Sequence, residues 1–370
     1  MTRTPPAPVT PSVVRWARED AGISEAELGA LARVDEDRVR RWESGEDRPT
    51  LGQLRLVADG LRRPVAFFLA PGPPGRHTEQ PPDFRTRRQG LSRGLRRELR
   101  AVAERRRSFG ELVGEEDRAA WLNWRDRPPA TADQARTRLG VSPEAVAKTA
   151  DASTALRLWI DAVEAQGVLV FQMSRIDVNE CRGFAQYDDV VPVIVLNGAD
   201  APQARSFTLL HELAHLLDHS GALCLLDDDR EVEQRCNKFA ADVLMPEGPM
   251  RAVVGGFDER DRVEVVVRQF RVSPVAAALR LRGLDLASQA IVDASIRQAG
   301  IAARQAAERD RQGGPAPHVL KRRNLGDRYL SAVLDALARD AITFADATYY
   351  LEASAATVER MENSLVVGRG

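Results

Sequence analysis

The segment SFTLLHELAHLLDH (206–219) constrains this chain more than any other. His211-Glu212-Leu213-Ala214-His215 lies inside a run where Leu209, Leu210, Leu213, Leu216 and Leu217 recur at helical spacing. Residues four apart on a helix share one face about one turn apart, so both imidazoles can reach one ion. The leucines would anchor that helix in a core. The chain has only five histidines, yet His211, His215 and His219 crowd into nine residues. Neutral imidazole nitrogen is a good zinc ligand at ~2.0–2.1 Å. Glu212, next to the first candidate ligand, can reach the fourth coordination position. There it would take a proton from the attacking water and later protonate a leaving amine.

A catalytic zinc needs a third protein ligand. His219 faces the same side as His215, but ligands at 211, 215 and 219 would drift ~6 Å along the helix axis per step. The other source is the next apolar-striped stretch, EVEQRCNKFAADVLMP (231–246). Glu233 and Asn237 lie one turn apart there, and a carboxylate ligand beside an amide that orients a histidine is a coherent pair. Glu231 and Asp227–Asp229 are the remaining alternatives.

The 370 residues are enough for two or three domains with real cores. No apolar run approaches the ~18 residues of a membrane span. MTRTPPAPVTPS at the start has no apolar segment of the signal-peptide kind. Three cysteines (Cys181, Cys224, Cys236) argue against a disulfide scaffold. A cytoplasmic protein without membrane partners is therefore expected. A net charge of −1 excludes a generic polyanion binder.

Along the chain, residues 1–10 are Pro/Thr-rich, and short helical stripes follow to about Leu69. PGPPGRHTEQPPD (71–83) reads as a linker. The stretch 84–127 is Arg-rich and helical in pattern, and another helical run covers 143–166. VLVFQM (168–173) and VVPVIVL (190–196) have the β-branched content of short strands. Helices are expected at Phe207–Leu217, Glu231–Leu244 and Val263–Leu281. Residues 301–316 read as a second linker, and short helices return over 319–363.

SFTLLHELAHLLDH followed by E-x-x-x-N-x-F-A-A-x-x-L-M-P resembles the ImmA/IrrE family of bacterial metallopeptidases. GFAQYDDVVPVIVLN (183–197) resembles that family's strand segment, and VRQFRVSPVAAALRLRGL (267–284) its continuation. The likeness covers roughly 155–285. It implies that His211, His215 and Glu233 hold Zn2+ and that Glu212 is the general base; Asn237 and His219 are the residues expected to stand behind the ligands. Two positions depart from the family pattern: Ala214 stands where Gly is frequent, and Cys236 where Ala is frequent. Cys236 is expected to act as a small buried apolar residue.

SEAELGALARVDEDRVRRWESGEDRPT (24–50) resembles a helix-turn-helix of the XRE/Cro type, carried by Leu28, Ala32, Val39, Trp42-Glu43, Gly45 and Pro49-Thr50. Its second helix would enter the major groove and offer Arg38, Arg40 and Arg41. Acidic Asp35, Glu36 and Asp37 at its start would repel phosphate. PPDFRTR (81–87) and the stretch 324–351 resemble segments of longer regulators of this kind. The former is expected to act as a structural clasp through Phe84.

The expected fold is α+β and predominantly helical. It comprises an all-α helix-turn-helix bundle (1–70), a linker with an Arg-rich helical segment (71–150), a zincin-like metallopeptidase domain with a small mixed sheet (151–300) and a small C-terminal helical domain (317–370). The resemblance implies a zinc endopeptidase, gluzincin-like in its ligands, fused to a DNA-binding module. Its substrate would be a repressor-like protein, in trans or itself, controlling stress, phage or mobile-element genes. A second copy of the chain is a further candidate partner. The rival expectation is a transcription regulator or a toxin–antitoxin or phage-defence component with a sensory or structural zinc site.

Overall fold

The structure is a computed structural model that describes residues 6–21, 23–61, 63, 65–72, 91–218, 230–309 and 317–368. The 71–83 linker beyond residue 72, the PPDFRTR segment, Cys224, His219 and Asp227–Asp229 lie outside the described residues.

Four helices open the chain: α1 (Pro11–Asp20), α2 (Glu25–Ala32), α3 (Glu36–Ser44) and α4 (Leu51–Leu61), with a 3-10 turn at Val65–Leu69. Ser24 and Glu27 form a reciprocal capping box that starts α2. Asp35 accepts the backbone N–H of Arg38 and starts α3, which Gly45 ends at φ 86°. Val13, Leu28, Val39, Trp42, Leu54 and Phe68 make this bundle's core.

Next come α5 (Arg93–Leu112), α6 (Glu115–Asp126), α7 (Ala132–Leu139), α8 (Pro143–Ala147) and α9 (Ala152–Glu164). The strands are β1 (Leu169–Met173), β2 (Gly183–Gln186) and β3 (Val193–Asn197), ordered β1-β3-β2. Central β3 runs parallel to β1 (Leu169 opposite Val193) and antiparallel to β2 (Phe184 opposite Val195). It is buried on both faces, which explains its unbroken apolar run. The expected strand at 190–196 thus starts later, and β2 is an addition to it.

Beyond the sheet lie α10 (Pro202–Leu217), α11 (Arg230–Leu244), α12 (Glu247–Val254), α13 (Glu259–Phe270), α14 (Pro274–Gly283), α15 (Gln289–Arg309), α16 (Pro317–Leu325), α17 (Asp327–Ala338), α18 (Phe344–Tyr350) and α19 (Ala355–Gly368). The single helix expected at Val263–Leu281 is two. Arg271 adopts the left-handed conformation (φ 54°), and Ser273 and Pro274 then restart the chain. The second linker also begins later than expected, because α15 runs through Arg309.

The contacts divide the chain into two compact units, Met1–Asp83 with Phe344–Ser354, and Phe84–Thr343 with Ala355–Gly370. The expected 317–370 domain is therefore shared between them. In the second unit α17 buries Tyr329, whose ring meets Phe171 of β1 edge-on at 5.6 Å. No helix of the described residues is long and apolar enough to cross a membrane.

Candidate metal centre

Helix α10 is held between the sheet, α9 and α11. Leu209, Leu210, Leu213 and Leu216 are fully buried; each contributes about 1.5–3 kcal/mol relative to exposure. Gly183 lets the helix close on β2, since a Cβ there would stand 2.5 Å from Thr208 Cγ2. Pro202 occupies the first turn, where its missing N–H costs nothing. This packing fixes the direction in which His211 and His215 point.

The two histidines present their Nε2 atoms to each other at 3.1 Å. Helix α11 brings Glu233 to both: Oε1 lies 3.2 Å from His215 Nε2 and Oε2 lies 3.4 Å from His211 Nε2. One ligand atom from each of the three residues falls within 4.8 Å of the others. On the far side of its ring, His211 Nδ1–H donates to Asn237 Oδ1 at 3.1 Å. That bond leaves the Nε2 lone pair facing Glu233. Burial, and next the neighbouring His215, push the His211 imidazole down to about 4, against the opposing Asn237 bond. That shift favours the neutral imidazole, the form able to hold a metal ion.

The spacing of the donor atoms tests which ion fits. Four ligands at ~2.0–2.1 Å in a tetrahedron stand roughly 3.3–3.4 Å apart. The two Nε2 atoms stand 3.1 Å apart, and each faces its own Glu233 oxygen at 3.2 or 3.4 Å, separations close to that edge. Two imidazole nitrogens with a carboxylate are a donor set of the kind that holds zinc.

Glu212 is buried (4% exposed) on the same helix. Cys236 is buried beside Ala214 and Val232, and burial pushes its thiol up to about 12. It therefore packs as the small apolar residue expected. Glu231, the weaker alternative ligand, is not part of the convergent group.

Sequence reasoning missed the side chains that brace the site. Arg136 of α7 donates to the carbonyls of Val243 and Leu244, clamping the end of α11. Arg280 of α14 donates to the Met245 carbonyl at 3.1 Å and pairs with Asp242. A helix C-terminus carries unpaired carbonyls, so arginines meeting it are a recurring device.

In the first unit, α3 carries the three arginines considered for DNA. Arg38 Nε pairs with Asp47 at 3.2 Å, and Arg40 pairs with Glu36 at 2.7 Å and with Asp37. Arg41 is exposed and has no side-chain ion pair among the described residues. Beneath them Glu43, 6% exposed, takes both Arg18 Nε (2.6 Å) and Nη2 (2.8 Å).

Fold and site together define a metallopeptidase-type domain joined to a helix-turn-helix. Comparison with known families agrees. Residues 163–282 match the peptidase M78 model, the IrrE N-terminal-like domain, and residues 14–68 match a helix-turn-helix model. These two matches, in this order, fit the ImmA/IrrE architecture with an N-terminal helix-turn-helix of the XRE type. No curated protein matches it. Among solved structures, Bacillus thuringiensis PlcR in complex with the peptide PapR7 and DNA is similar at 13% identity, over 80% of this chain and 94% of that one. Its TM-score is 0.16, so the likeness carries no argument.

Proposed function

We propose that this chain is a zinc-dependent endopeptidase whose second unit cleaves a repressor-like protein and whose helix-turn-helix brings it to DNA. The observation that carries the reading is the convergence of His211, His215 and Glu233, with Asn237 orienting His211. Zinc held there would polarise the scissile carbonyl and make water more acidic. The protein's own residues supply the rest. Glu212 would accept the proton of the attacking water on its carboxylate and return it to the leaving amine. Burial of His215 and of the leucines around it would keep bulk water from competing for the ligands.

A protein substrate controlling stress, phage or mobile-element genes follows from the family resemblance. The second reading, a regulator whose zinc site is sensory or structural, is favoured by the helix-turn-helix itself. A structural site has no use for a base beside its ligands, which weighs for the enzyme. Metal analysis of purified protein, wild type beside Glu233→Ala, is the deciding test. About one zinc per chain, lost in the variant, is expected for a three-ligand site. Protein without zinc even after reconstitution would sink the peptidase reading.

A further inference from the structure

Arg205 on the first turn of α10 and Arg323 on α16 both reach the carboxyl-terminal edge of the parallel pair β1 and β3. Arg205, on that turn, is 7% exposed and donates from Nη1 to Gln172 Oε1 of β1 at 2.6 Å. Arg323 of α16 lays its guanidinium over Gly198, just past β3. A Cβ at 198 would stand 3.1 Å from Arg323 Nη2 and 3.0 Å from the Met173 carbonyl, so glycine lets the arginine approach without crowding. Asn324 ties α16 down by donating from Nδ2 to Ser174 Oγ at 3.0 Å.

These two arginines are short of partners. The Nε of each is buried and meets no hydrogen-bond acceptor. Neither guanidinium has an ion pair among the described residues. Asp200, whose charge reaches Arg205, is already bound to Arg182 at 2.9 Å and accepts the Ala201 N–H at 2.9 Å. Burial, and next the Arg323 charge, hold Arg205 below the usual guanidinium range, and burial does the same to Arg323. A buried Arg205 beside the half-buried Arg323, with its nearest acid engaged elsewhere, is a costly arrangement of like charges. Planar guanidinium forks suit the geometry of an oxyanion. The sixteen-residue α10 starts here without a side-chain cap, which adds the positive end of its dipole.

We propose that Arg205 and Arg323 form a binding site for a phosphate-monoester dianion, either free phosphate or the terminal phosphate of a nucleotide. Two guanidinium charges balance a dianion, whereas a single carboxylate would leave one charge over. Arg323 lies beyond residue 282, so the site joins the family-matched domain to a helix outside it. It also joins α16 to the helix that carries both histidines. The proposal does not rest on the peptidase reading, because its readout is anion binding.

The test is calorimetric titration of the full-length protein with inorganic phosphate and, separately, adenosine monophosphate, with adenosine as control and ionic strength held with chloride. Wild type is expected to bind phosphate saturably. Arg323→Gln should bind about ten-fold or more weakly, since it loses a charge-assisted pair, while Arg182→Gln should bind as wild type does. In phosphate-free buffer Arg323→Gln should melt no lower than wild type, because it removes an uncompensated charge. A structural arginine would behave the other way. Tighter binding of the nucleotide identifies that source, and equal binding identifies free phosphate. Absence of saturable binding overturns the proposal. So does binding that survives unchanged in both Arg323→Gln and Arg205→Lys, which would place the anion elsewhere on the chain.

Discussion

The helix-turn-helix unit and the metal centre treat charge in opposite ways. In the first, the buried Glu43 carboxylate is closed by Arg18 Nε and Nη2, and the half-buried Arg38 and exposed Arg40 are paired with nearby acids. In the second, His211, His215 and Glu233 turn their ligand atoms toward one another. Both patterns bring charged and polar residues of different elements together. The difference is that the first set completes itself and the second is a convergent group that a cation could complete. Self-completion favours a rigid scaffold, and convergence favours chemistry.

The largest effect expected from breaking this contrast is at Glu212. Glu212→Gln keeps shape and ligands but removes the proton acceptor. Peptide hydrolysis should fall by about 10²–10⁴-fold, with zinc content unchanged in metal analysis. Retained hydrolysis in this variant would show that Glu212 is not the base. In the first unit the matching test is on stability. Glu43→Ala leaves Arg18 buried without its partner and should cost about 3 kcal/mol, read as a lower denaturation midpoint of the full chain. A loss below ~1 kcal/mol would mean that this pair behaves like a surface one.

Asn237→Ala probes how far the convergence depends on orientation. Freed of its Nδ1 partner, the His211 ring can turn, and zinc affinity should drop about 10–100-fold in a competition titration with a chelating dye. An unchanged affinity would assign Asn237 to helix packing alone. A pH-dependent effect is expected at Glu164, another buried acid of the second unit. Its Oε2 accepts the Arg328 backbone N–H at 3.3 Å, and burial pushes its carboxyl up to about 8. The folded state therefore holds a proton that the unfolded chain releases near the ordinary carboxylate value. The stability this contributes is full below about pH 4.5 and is lost as pH rises toward 8. Glu164→Gln should flatten that part of the stability profile, and a profile identical to wild type would refute the assignment.

What was readable in the sequence follows from how local each signal is. The two histidines were legible because helical spacing alone aligns them. Glu233 was legible because Asn237, one turn on, repeats the ligand-and-orienter logic on the next helix. Strand β2 was not, since GFAQ is four residues with no alternation to read. The break at Arg271 was masked by an apolar stripe that continues through it, although Ser273-Pro274 carried the restart. The polar residues 301–309 read as linker, yet alanine, glutamine and arginine are good helix formers, and α15 continues through them. Arg18 with Glu43, and Arg205 with Arg323, join positions remote in sequence, and nothing in either local pattern announces the partner.

The smallest effect bears on whether the first unit's closure of its charges extends to its function. Arg40 is tied to Glu36 and Asp37 in solvent, and Arg41 on the same helix has no such pair among the described residues. Exposed pairs of this sort contribute at most ~1 kcal/mol, so Arg40→Ala should leave the thermal midpoint almost unmoved. The two arginines should part company on DNA. Arg41→Ala removes a cation that is already available to phosphate, and should weaken binding and lower the salt dependence by about one ion. Arg40→Ala also exposes Glu36 and Asp37 to the same phosphates, and should weaken binding at least as much by adding repulsion. Fluorescence anisotropy across a salt series, on duplexes recovered by selection, separates the two. If neither variant changes affinity or slope, α3 does not face DNA, and the completed charges of the first unit serve a protein contact instead.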